Sequence, residues 1–240
     1  MSIENNIKNY LSELPPTVRL AAVSKFHSFD CIRQAYQAGQ RIFAESRPQE
    51  LFKKVQQQAL CQDMNDIEWH FIGHLQTNKL KMVLPYVSLV QSVDSLHLLQ
   101  AIDSWGRSNG KIVDILLECH VSSDDTKQGF SYDELLDFVS SDVEYPFVHV
   151  CGVMGMATLT DDEDVIRADF QRLLDRMDLL QDWIGESKNL PHGLSAAGQN
   201  ASSWRCDQIS MGMTGDWRIA VEMGSTMVRI GSGIFGPRES

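Results

Sequence analysis

The sequence predicts an α/β fold, a single (β/α)₈ TIM barrel that spans residues 1–240. Short apolar segments rich in β-branched residues alternate with helical segments along the whole chain, and eight of them can be counted as strands. Segments such as Ile112–Leu117 are apolar at nearly every position, which is typical of parallel strands buried on both faces. The length of 240 residues suits one such barrel and leaves no room for a second domain.

The predicted strands and helices follow one another in βα order. The strands are Leu20–Lys25, Arg41–Glu45, Glu68–Gly73, Ser88–Val93, Ile112–Val121, Phe147–Met154, Gln208–Met211 and Met227–Gly231. The helices between them are Phe29–Ala38, Gln49–Ala59, Asn78–Leu84, Leu96–Arg107, Tyr132–Ser140, Glu163–Ile184 and Asp216–Met223. A further helix, Ile3–Leu14, ends at a Pro-Pro pair, and we expect it to cap the bottom of the barrel. The Gly-, Ser- and Asn-rich segment Asn189–Asp207 predicts a long loop.

The composition of the chain indicates which binding partners and which cellular compartment to expect. The net charge of −11 argues against nucleic acid and against an anionic membrane surface. No apolar run approaches the ~20 residues of a membrane span, and Met1–Leu14 lacks the basic and apolar regions of a signal peptide. The five cysteines are odd in number and none are spaced C-x-x-C, which favours reduced thiols over disulfides or zinc. We therefore expect a cytoplasmic protein without a metal site.

The last predicted strand leads into a glycine-rich segment. Gly231, Gly233 and Gly236 match the pattern G-x-G-x-x-G, whose backbone N–H groups can cradle a phosphate. A dinucleotide site needs a further helix, a strand and an acidic residue about 20 residues on, and only four residues follow Gly236. In (β/α)₈ barrels the loops after strands 7 and 8 often hold a phosphate, so we expect a phosphate site here.

Lys25 ends the first predicted strand, at the edge of the barrel where the active sites of this fold lie. There its amine would sit among apolar walls, in an environment that favours attack on a carbonyl. From position alone, a solvated lysine is the more common outcome. A nucleophilic lysine facing a phosphate cradle suits a ligand with both an aldehyde and a phosphate, and pyridoxal 5′-phosphate (PLP) is the obvious candidate.

Two further segments place polar groups at the same edge. Arg229 precedes Gly231 by two residues and can point into the barrel toward the ring of such a ligand, where it would keep the pyridine nitrogen unprotonated. The alternative is a core arginine bound to strand-end carbonyls. Ser210 and the N–H groups near Gly212 could share the phosphate, or they could form an ordinary turn capped by Asp216.

Segments distributed along the chain resemble one family, the pyridoxal phosphate homeostasis proteins. They cover roughly residues 18–238 and are Ala22–Lys25, Phe43–Glu50, Trp69–Lys79, Lys127–Gly129, Gly152–Met156, Ser210–Asp216, Gly224–Gly231 and Ile234–Gly236. The resemblance implies a barrel like the N-terminal domain of alanine racemase, the fold type III barrel of PLP proteins. It implies that Lys25 forms a Schiff base with PLP. It also implies that Ser210, Gly231 and Ser232 lie about the phosphate and that Arg229 lies near the pyridine nitrogen.

The residues that we assign to cofactor binding include those named above, together with polar or flexible side chains at the ends of other predicted strands. The sequence departs from the family pattern at Ala44 and Ser46, where glycine and asparagine are usual. No catalytic residue and no metal ligand are assigned. The full set is Lys25, Glu45, Ser46, His74, Met154, Ser210, Met211, Gly212, Arg229, Gly231 and Ser232.

The resemblance implies a non-catalytic carrier that buffers or delivers PLP inside the cell, with apo PLP-dependent enzymes as partners and a monomeric state. A racemase needs acid/base groups on both faces of the substrate carbon, and in alanine racemases a second domain supplies one of them. We expect that domain to be missing here, because the chain ends just after the barrel. The alternatives are a small PLP-dependent amino-acid racemase with another base, or a Schiff-base aldolase in which Lys25 attacks a phosphorylated sugar directly.

Overall fold

Eight parallel strands close into a barrel in chain order, so each strand lies between its sequence neighbours and the last strand pairs with the first. The structure is a computed structural model and describes residues 2–122, 128–141, 143–189 and 204–237. The strands are β1 (Arg19–Val23), β2 (Ile42–Glu45), β3 (Glu68–Phe71), β4 (Leu89–Val93), β5 (Val113–Glu118), β6 (Val148–Met154), β7 (Gln208–Ser210) and β8 (Met227–Ile230). The predicted fold class is confirmed, and all eight predicted strands are present.

Helices surround this barrel. Serine side chains cap several of them, and Ser131 forms a full capping box with Glu134. The predicted helix Asn78–Leu84 is instead a 3₁₀ turn at Thr77–Lys79 followed by a short α-helix. The helices are α1 (Ile3–Glu13), α2 (Phe29–Gln37), α3 (Pro48–Gln58), α4 (Leu80–Val83), α5 (Leu96–Asn109), α6 (Tyr132–Ser140), α7 (Glu163–Asn189), α8 (Trp217–Glu222) and α9 (Ser232–Phe235).

Side chains alternate between the inside and the outside of the barrel wall. In β1, Leu20 and Ala22 pack in the large cluster beneath the helices, whereas Ala21 and Val23 belong to a separate small cluster. That small cluster draws members from six of the eight strands and therefore fills the barrel interior. It consists of Ala21, Val23, Ile42, Ala44, Leu89, Leu116, Cys151, Met154 and Met227.

The expected position of α1 at the bottom of the barrel is wrong, because this helix packs on the outer wall. Asn6 Nδ2 donates a hydrogen bond to the Ile234 carbonyl beyond β8 (2.9 Å), and Glu13 pairs with Arg218 of α8 (2.5 Å). Up to residue 237, where the described residues end, the four-residue helix α9 is the only helix after β8, and no long helix of this part of the chain covers the wall beside β8 and β1. The apolar side of α1, including the fully buried Ile7, covers that gap.

The predicted loop Asn189–Asp207 lies mostly outside the described residues, which resume at 204. Just after it, β7 runs so close to β6 that a Cβ on Gly152 would lie 1.9 Å from the Gln208 carbonyl oxygen. Gly152 also has a φ of +148°, which glycine adopts without strain. No helix in the described part of the chain is long and apolar enough to cross a membrane.

Candidate functional site

Lys25 lies two residues after the end of β1, at the carboxyl end of the barrel. The alternation set by Ala21 and Val23 directs its side chain toward the interior, and the residue is half-buried. The next residue, Phe26, has a φ of +69°, in the left-handed region that few residues other than glycine adopt. The chain therefore turns sharply just after Lys25, at the mouth of the barrel.

The glycine-rich segment after β8 lies beside the loop that carries Lys25. Strands β1 and β8 are paired, so Lys25 and Gly231 leave neighbouring strands. The His27 ring stacks on the Phe235 ring of α9, with 5.0 Å between centroids. The predicted amine and the predicted phosphate loop thus share one corner of the mouth.

The loops after β7 and β8 meet at that corner. Ser232 Oγ donates a hydrogen bond to Thr214 Oγ1, and the Gly233 N–H donates to the same oxygen, both at 3.4 Å. Gly212 has a φ of +96°, and a Cβ there would lie 2.6 Å from the Cβ of Ala220. A side chain at this turn would force the loop to move away from Ala220, and the two loops together present hydroxyl and backbone N–H groups suited to a phosphate.

A chain of buried hydrogen bonds crosses the barrel interior below the mouth. Arg229 Nη1 donates to Ser210 Oγ (2.7 Å), and Nη2 donates to the Gly155 carbonyl (2.9 Å). Ser210 Oγ in turn donates to Gln91 Oε1 (2.7 Å), and Gln91 Nε2 lies 2.9 Å from His70 Nδ1. Each polar group is anchored by the next, so the guanidinium of Arg229 is fixed in place.

Burial determines the charge states of His70 and Arg229 in this chain of hydrogen bonds. It lowers the pKa of His70 to about 3, so the ring is neutral at pH 7 and accepts the Gln91 hydrogen bond at Nδ1. It also lowers the pKa of Arg229 to about 10, with the nearby Glu118 opposing that change. Arg229 therefore stays cationic at neutral pH and supplies a positive charge beneath the mouth.

Glu118 ends β5 and is 6% exposed. Burial and the neighbouring Asp94 raise its pKa to about 7, while Arg229 and His74 act in the opposite direction. Strand β5 stands opposite β1 in a barrel of eight strands, so Glu118 and Lys25 approach the mouth from facing walls. A cavity of about 220 Å³ opens beside Glu118 and is lined by Glu118, Cys119, His120, Val121, Ser122, Gln128, Met156, Ala157, Leu159 and Met213.

Most of the predicted site residues lie around the mouth or just below it. Ser46 is half-buried after β2, and its backbone lies so close to Gly73 that a Cβ there would be 2.2 Å from the Ser46 carbonyl oxygen. His74 is largely exposed and pairs with Asp94 (2.9 Å). The others that the fold brings to this region are Lys25, Met154, Ser210, Gly212, Arg229, Gly231 and Ser232.

The structure does not bring the side chains of Glu45 and Met211 to the mouth. Ala44 faces the interior, so the next residue, Glu45, faces outward and contacts Lys54 of α3. Ser210 likewise faces inward, and Met211 packs in the outer cluster. The side-chain period of two in a strand explains both corrections.

Several residues of this region were not among the site residues selected from the sequence. Gln91, His70 and Thr214 belong to the hydrogen bonds just described, and Asp94 and Glu118 place carboxyl groups at the mouth. Glu118 and Asp94 stand near the ends of predicted strands, which is a signal that could have found them. Among the described residues, no group of three His, Cys, Asp or Glu side chains is arranged to hold a metal ion.

Comparison with known proteins adds independent evidence. The family model described as alanine racemase, N-terminal domain, matches residues 1–239. A pyridoxal phosphate homeostasis protein from Vibrio alginolyticus is 32% identical, over 99% of this chain and 98% of that protein. The protein of the same name from Homo sapiens is 34% identical, over 92% of this chain and 77% of that protein.

Comparison with solved structures points to the same family and the same fold. PipY from Synechococcus elongatus, determined with PLP bound, is 30% identical, with a TM-score of 0.78 over 98% of this chain and all of that one. Alanine racemase from Corynebacterium glutamicum is 13% identical, with a TM-score of 0.68 over 99% of this chain and 61% of that one. The second likeness concerns the fold alone.

Proposed function

This chain belongs to the family of pyridoxal phosphate homeostasis proteins, and on that premise we propose that it binds PLP at Lys25 and acts in intracellular PLP homeostasis. A bound PLP would supply an aldehyde, which can form a Schiff base with a lysine amine and release water, and a phosphate, which can anchor the cofactor. One observation carries the proposal. Lys25 and the glycine loop at Gly231 leave paired strands and meet at one corner of the mouth.

The groups at this corner suit the chemistry of PLP. The phosphate needs N–H and hydroxyl donors, which the loops at Gly212, Thr214 and Ser232 supply. The pyridine ring needs a partner for its nitrogen. Arg229 lies beneath the mouth as a fixed cation, and in that position it would keep the nitrogen unprotonated.

We further propose that the protein is a carrier without catalytic turnover, that it buffers PLP or delivers it to apo enzymes in the cytoplasm, and that it works as a monomer. The name of its relatives supports the first part. The rim of the mouth supports delivery, because Leu159 is 96% exposed and Met156 and His74 are also accessible. We expect a cofactor held beside these exposed residues to be accessible for transfer.

A second candidate function, a small PLP-dependent amino-acid racemase, is favoured by Glu118. This buried carboxyl faces Lys25 from the opposite wall, and burial raises its pKa to about 7. A group that titrates near neutral pH can hold or release a proton at the mouth. Steady turnover of either alanine enantiomer, abolished separately by Lys25→Ala and by Glu118→Gln, would establish the racemase and exclude a pure carrier.

The proposed function is tested by adding PLP to the purified protein and following the absorption spectrum. We expect a Schiff-base band that saturates at one PLP per chain and is absent in Lys25→Ala. Lys8→Ala is the control, because Lys8 is an exposed lysine paired with Glu4 on α1. A wild-type spectrum equal to that of free PLP would contradict the proposal and would leave the aldolase alternative.

A further inference from the structure

A buried ion pair outside the barrel wall holds the backbone just before Lys25. Lys54 Nζ, from α3, donates to the Ser24 carbonyl (2.8 Å) and to Glu45 Oε1 (2.7 Å). Ser24 Oγ donates to the same carboxylate oxygen (2.6 Å). The side chains of Lys54 and Glu45 are only 7% and 0% exposed. The peptide that joins Ser24 to Lys25 is therefore fixed through both its carbonyl and the neighbouring hydroxyl.

The same helix also holds the backbone just after Lys25. The Phe26 N–H donates to Glu50 Oε2 (2.9 Å), and Glu50 lies one helical turn before Lys54, 4.0 Å from its Nζ. The guanidinium of Arg47 sits over the Phe26 ring, 4.4 Å from its centroid. These contacts stabilise the left-handed conformation of Phe26, which a residue with a Cβ adopts only when its surroundings enforce it.

This arrangement is costly for a purely structural contact. A buried ion pair is often no more stabilising than apolar residues of the same volume. Here the second carboxylate oxygen, Glu45 Oε2, is buried without a hydrogen-bond partner. Burial raises the pKa of Glu45, and its contacts with Lys54 and Ser24 only oppose that change. The Lys54–Glu45 pair instead provides hydrogen bonds to Ser24, the residue just before Lys25.

We propose that Lys54, Glu45 and Glu50 are positioning residues for Lys25, which hold the backbone on both sides of it so that its amine is aimed into the mouth. The inference rests on the proposed function. A lysine side chain is flexible, and the direction of its Cα–Cβ bond sets the region that the amine can reach. A displacement of ~1 Å in a reacting group can cost about a hundredfold in rate.

The experiment compares variants that remove these contacts without leaving a buried charge. Lys54→Met combined with Glu45→Gln keeps the volumes similar. Arg107→Met combined with Asp103→Asn is the matched control, because Asp103 is buried and accepts a hydrogen bond from the Phe147 N–H just before β6, at the opposite end of the barrel from the mouth. Two properties are measured in each folded protein. They are the rate of Schiff-base formation with PLP and, without PLP, the reactivity of the Lys25 amine in competitive acetylation followed by peptide mapping.

We expect Schiff-base formation to slow by about 10- to 100-fold in the Lys54/Glu45 variant, and the acetylation rate of Lys25 to change at least threefold. The control should keep both values within twofold of wild type. Unchanged values in the folded Lys54/Glu45 variant, or equal changes in the control, would overturn the proposal.

A second pair of variants tests the same inference if the first does not fold. Glu50 is partly exposed, so Glu50→Ala should fold, and it removes the acceptor for the Phe26 N–H. Glu50→Gln keeps an acceptor and should restore most of the rate, whereas equal rates in the two variants would count against the proposal. Because acetylation of Lys25 needs no PLP, it separates this inference from the proposed function. Wild type that forms no Schiff base defeats the function, while a changed Lys25 reactivity still supports the positioning role.

Discussion

Arg229 has a structural role in the barrel and a proposed role in cofactor binding. Both of its terminal nitrogens are engaged, one by Ser210 and the other by the Gly155 carbonyl, so β6 and β7 aim the guanidinium from below. The sequence suggested two alternatives, a ligand contact or a core arginine bound to strand-end carbonyls. The hydrogen bond to the Gly155 carbonyl is the one expected of a core arginine, and the position of Arg229 under the mouth is compatible with a ligand contact.

We predict that Arg229→Gln weakens PLP binding while the protein stays folded. Hydrogen bonds to charged groups contribute about 1.5–3 kcal/mol, which corresponds to roughly a 10- to 150-fold increase in Kd. The measurement is a spectroscopic PLP titration, with circular dichroism to confirm folding. Arg218→Gln serves as the control, since Arg218 lies exposed on α8. An unchanged Kd and an unchanged absorption band in Arg229→Gln would exclude a contact between Arg229 and the cofactor.

Single residues were predictable from sequence where position in a strand was enough. Lys25 and Arg229 follow from strand ends and alternation. Glu45 does not, because a shift of one residue moves a side chain to the other face of the wall, and the predicted set did not apply that period of two. Gln91 and His70 lie in mid-strand and look like core positions, and only the folded barrel shows that they support Ser210 and Arg229.

At the scale of elements, the proposed phosphate site depends on the backbone shape of two glycine loops. The loop after β7 turns at Gly212, where a side chain would collide with Ala220 of α8 and approach the Trp217 backbone at 3.0 Å. The helix α8 thus packs against the loop and holds it next to Ser232. A phosphate cradle of this kind depends on backbone shape more than on side-chain identity.

We predict that Gly212→Ala lowers PLP affinity at least tenfold, because the loop must move away from α8. Gly224→Ala is the matched control. Gly224 has nearly the same φ, +98° against +96°, but open space where its Cβ would stand. Both variants should lose about 1–2 kcal/mol of unfolding free energy from the left-handed conformation, and only Gly212→Ala should lose affinity. Equal Kd values for the two, measured beside urea unfolding, would contradict the phosphate assignment.

The order and type of the elements were predictable, and their packing was less so. Alternating apolar segments defined every strand to within a few residues, because strands buried on both faces leave a strong pattern. The position of α1 was not predictable, because it depends on the short length of α9, which leaves the wall beside β8 uncovered. The short α4 was predicted as a longer helix because propensity alone does not show where a 3₁₀ turn replaces it.

At the scale of the whole molecule, buried titratable groups make stability depend on pH in two opposite directions. The pKa of Glu118 rises from 4.5 to about 7 on folding, so its contribution to stability is full below pH 4.5 and is lost as pH rises toward 7. The pKa of His70 falls from 6.5 to about 3, so its contribution is present above pH 6.5 and is lost as pH falls toward 3. The wild-type protein should therefore lose stability on both sides of mildly acidic pH.

We predict that Glu118→Gln removes the alkaline part of this dependence. Each pH unit between 4.5 and about 7 changes the contribution of Glu118 by about 1.4 kcal/mol, or roughly 3 kcal/mol in all. The free energy of unfolding of the variant, relative to wild type, should rise by most of that amount between pH 5 and pH 8. Urea unfolding at pH 5, 6, 7 and 8 gives the values. Parallel curves for the two proteins would show that the Glu118 carboxyl is not held neutral by the fold.

The central claim, a covalent bond between Lys25 and PLP, is tested most directly by reduction and peptide mapping. Wild-type protein saturated with PLP is treated with borohydride, digested and analysed by mass spectrometry, with Lys25→Arg in parallel. We expect one pyridoxyl group, located on Lys25 in the wild type and absent from the variant. A wild-type protein that carries no adduct at Lys25, or that carries its adduct on another lysine, would contradict the account.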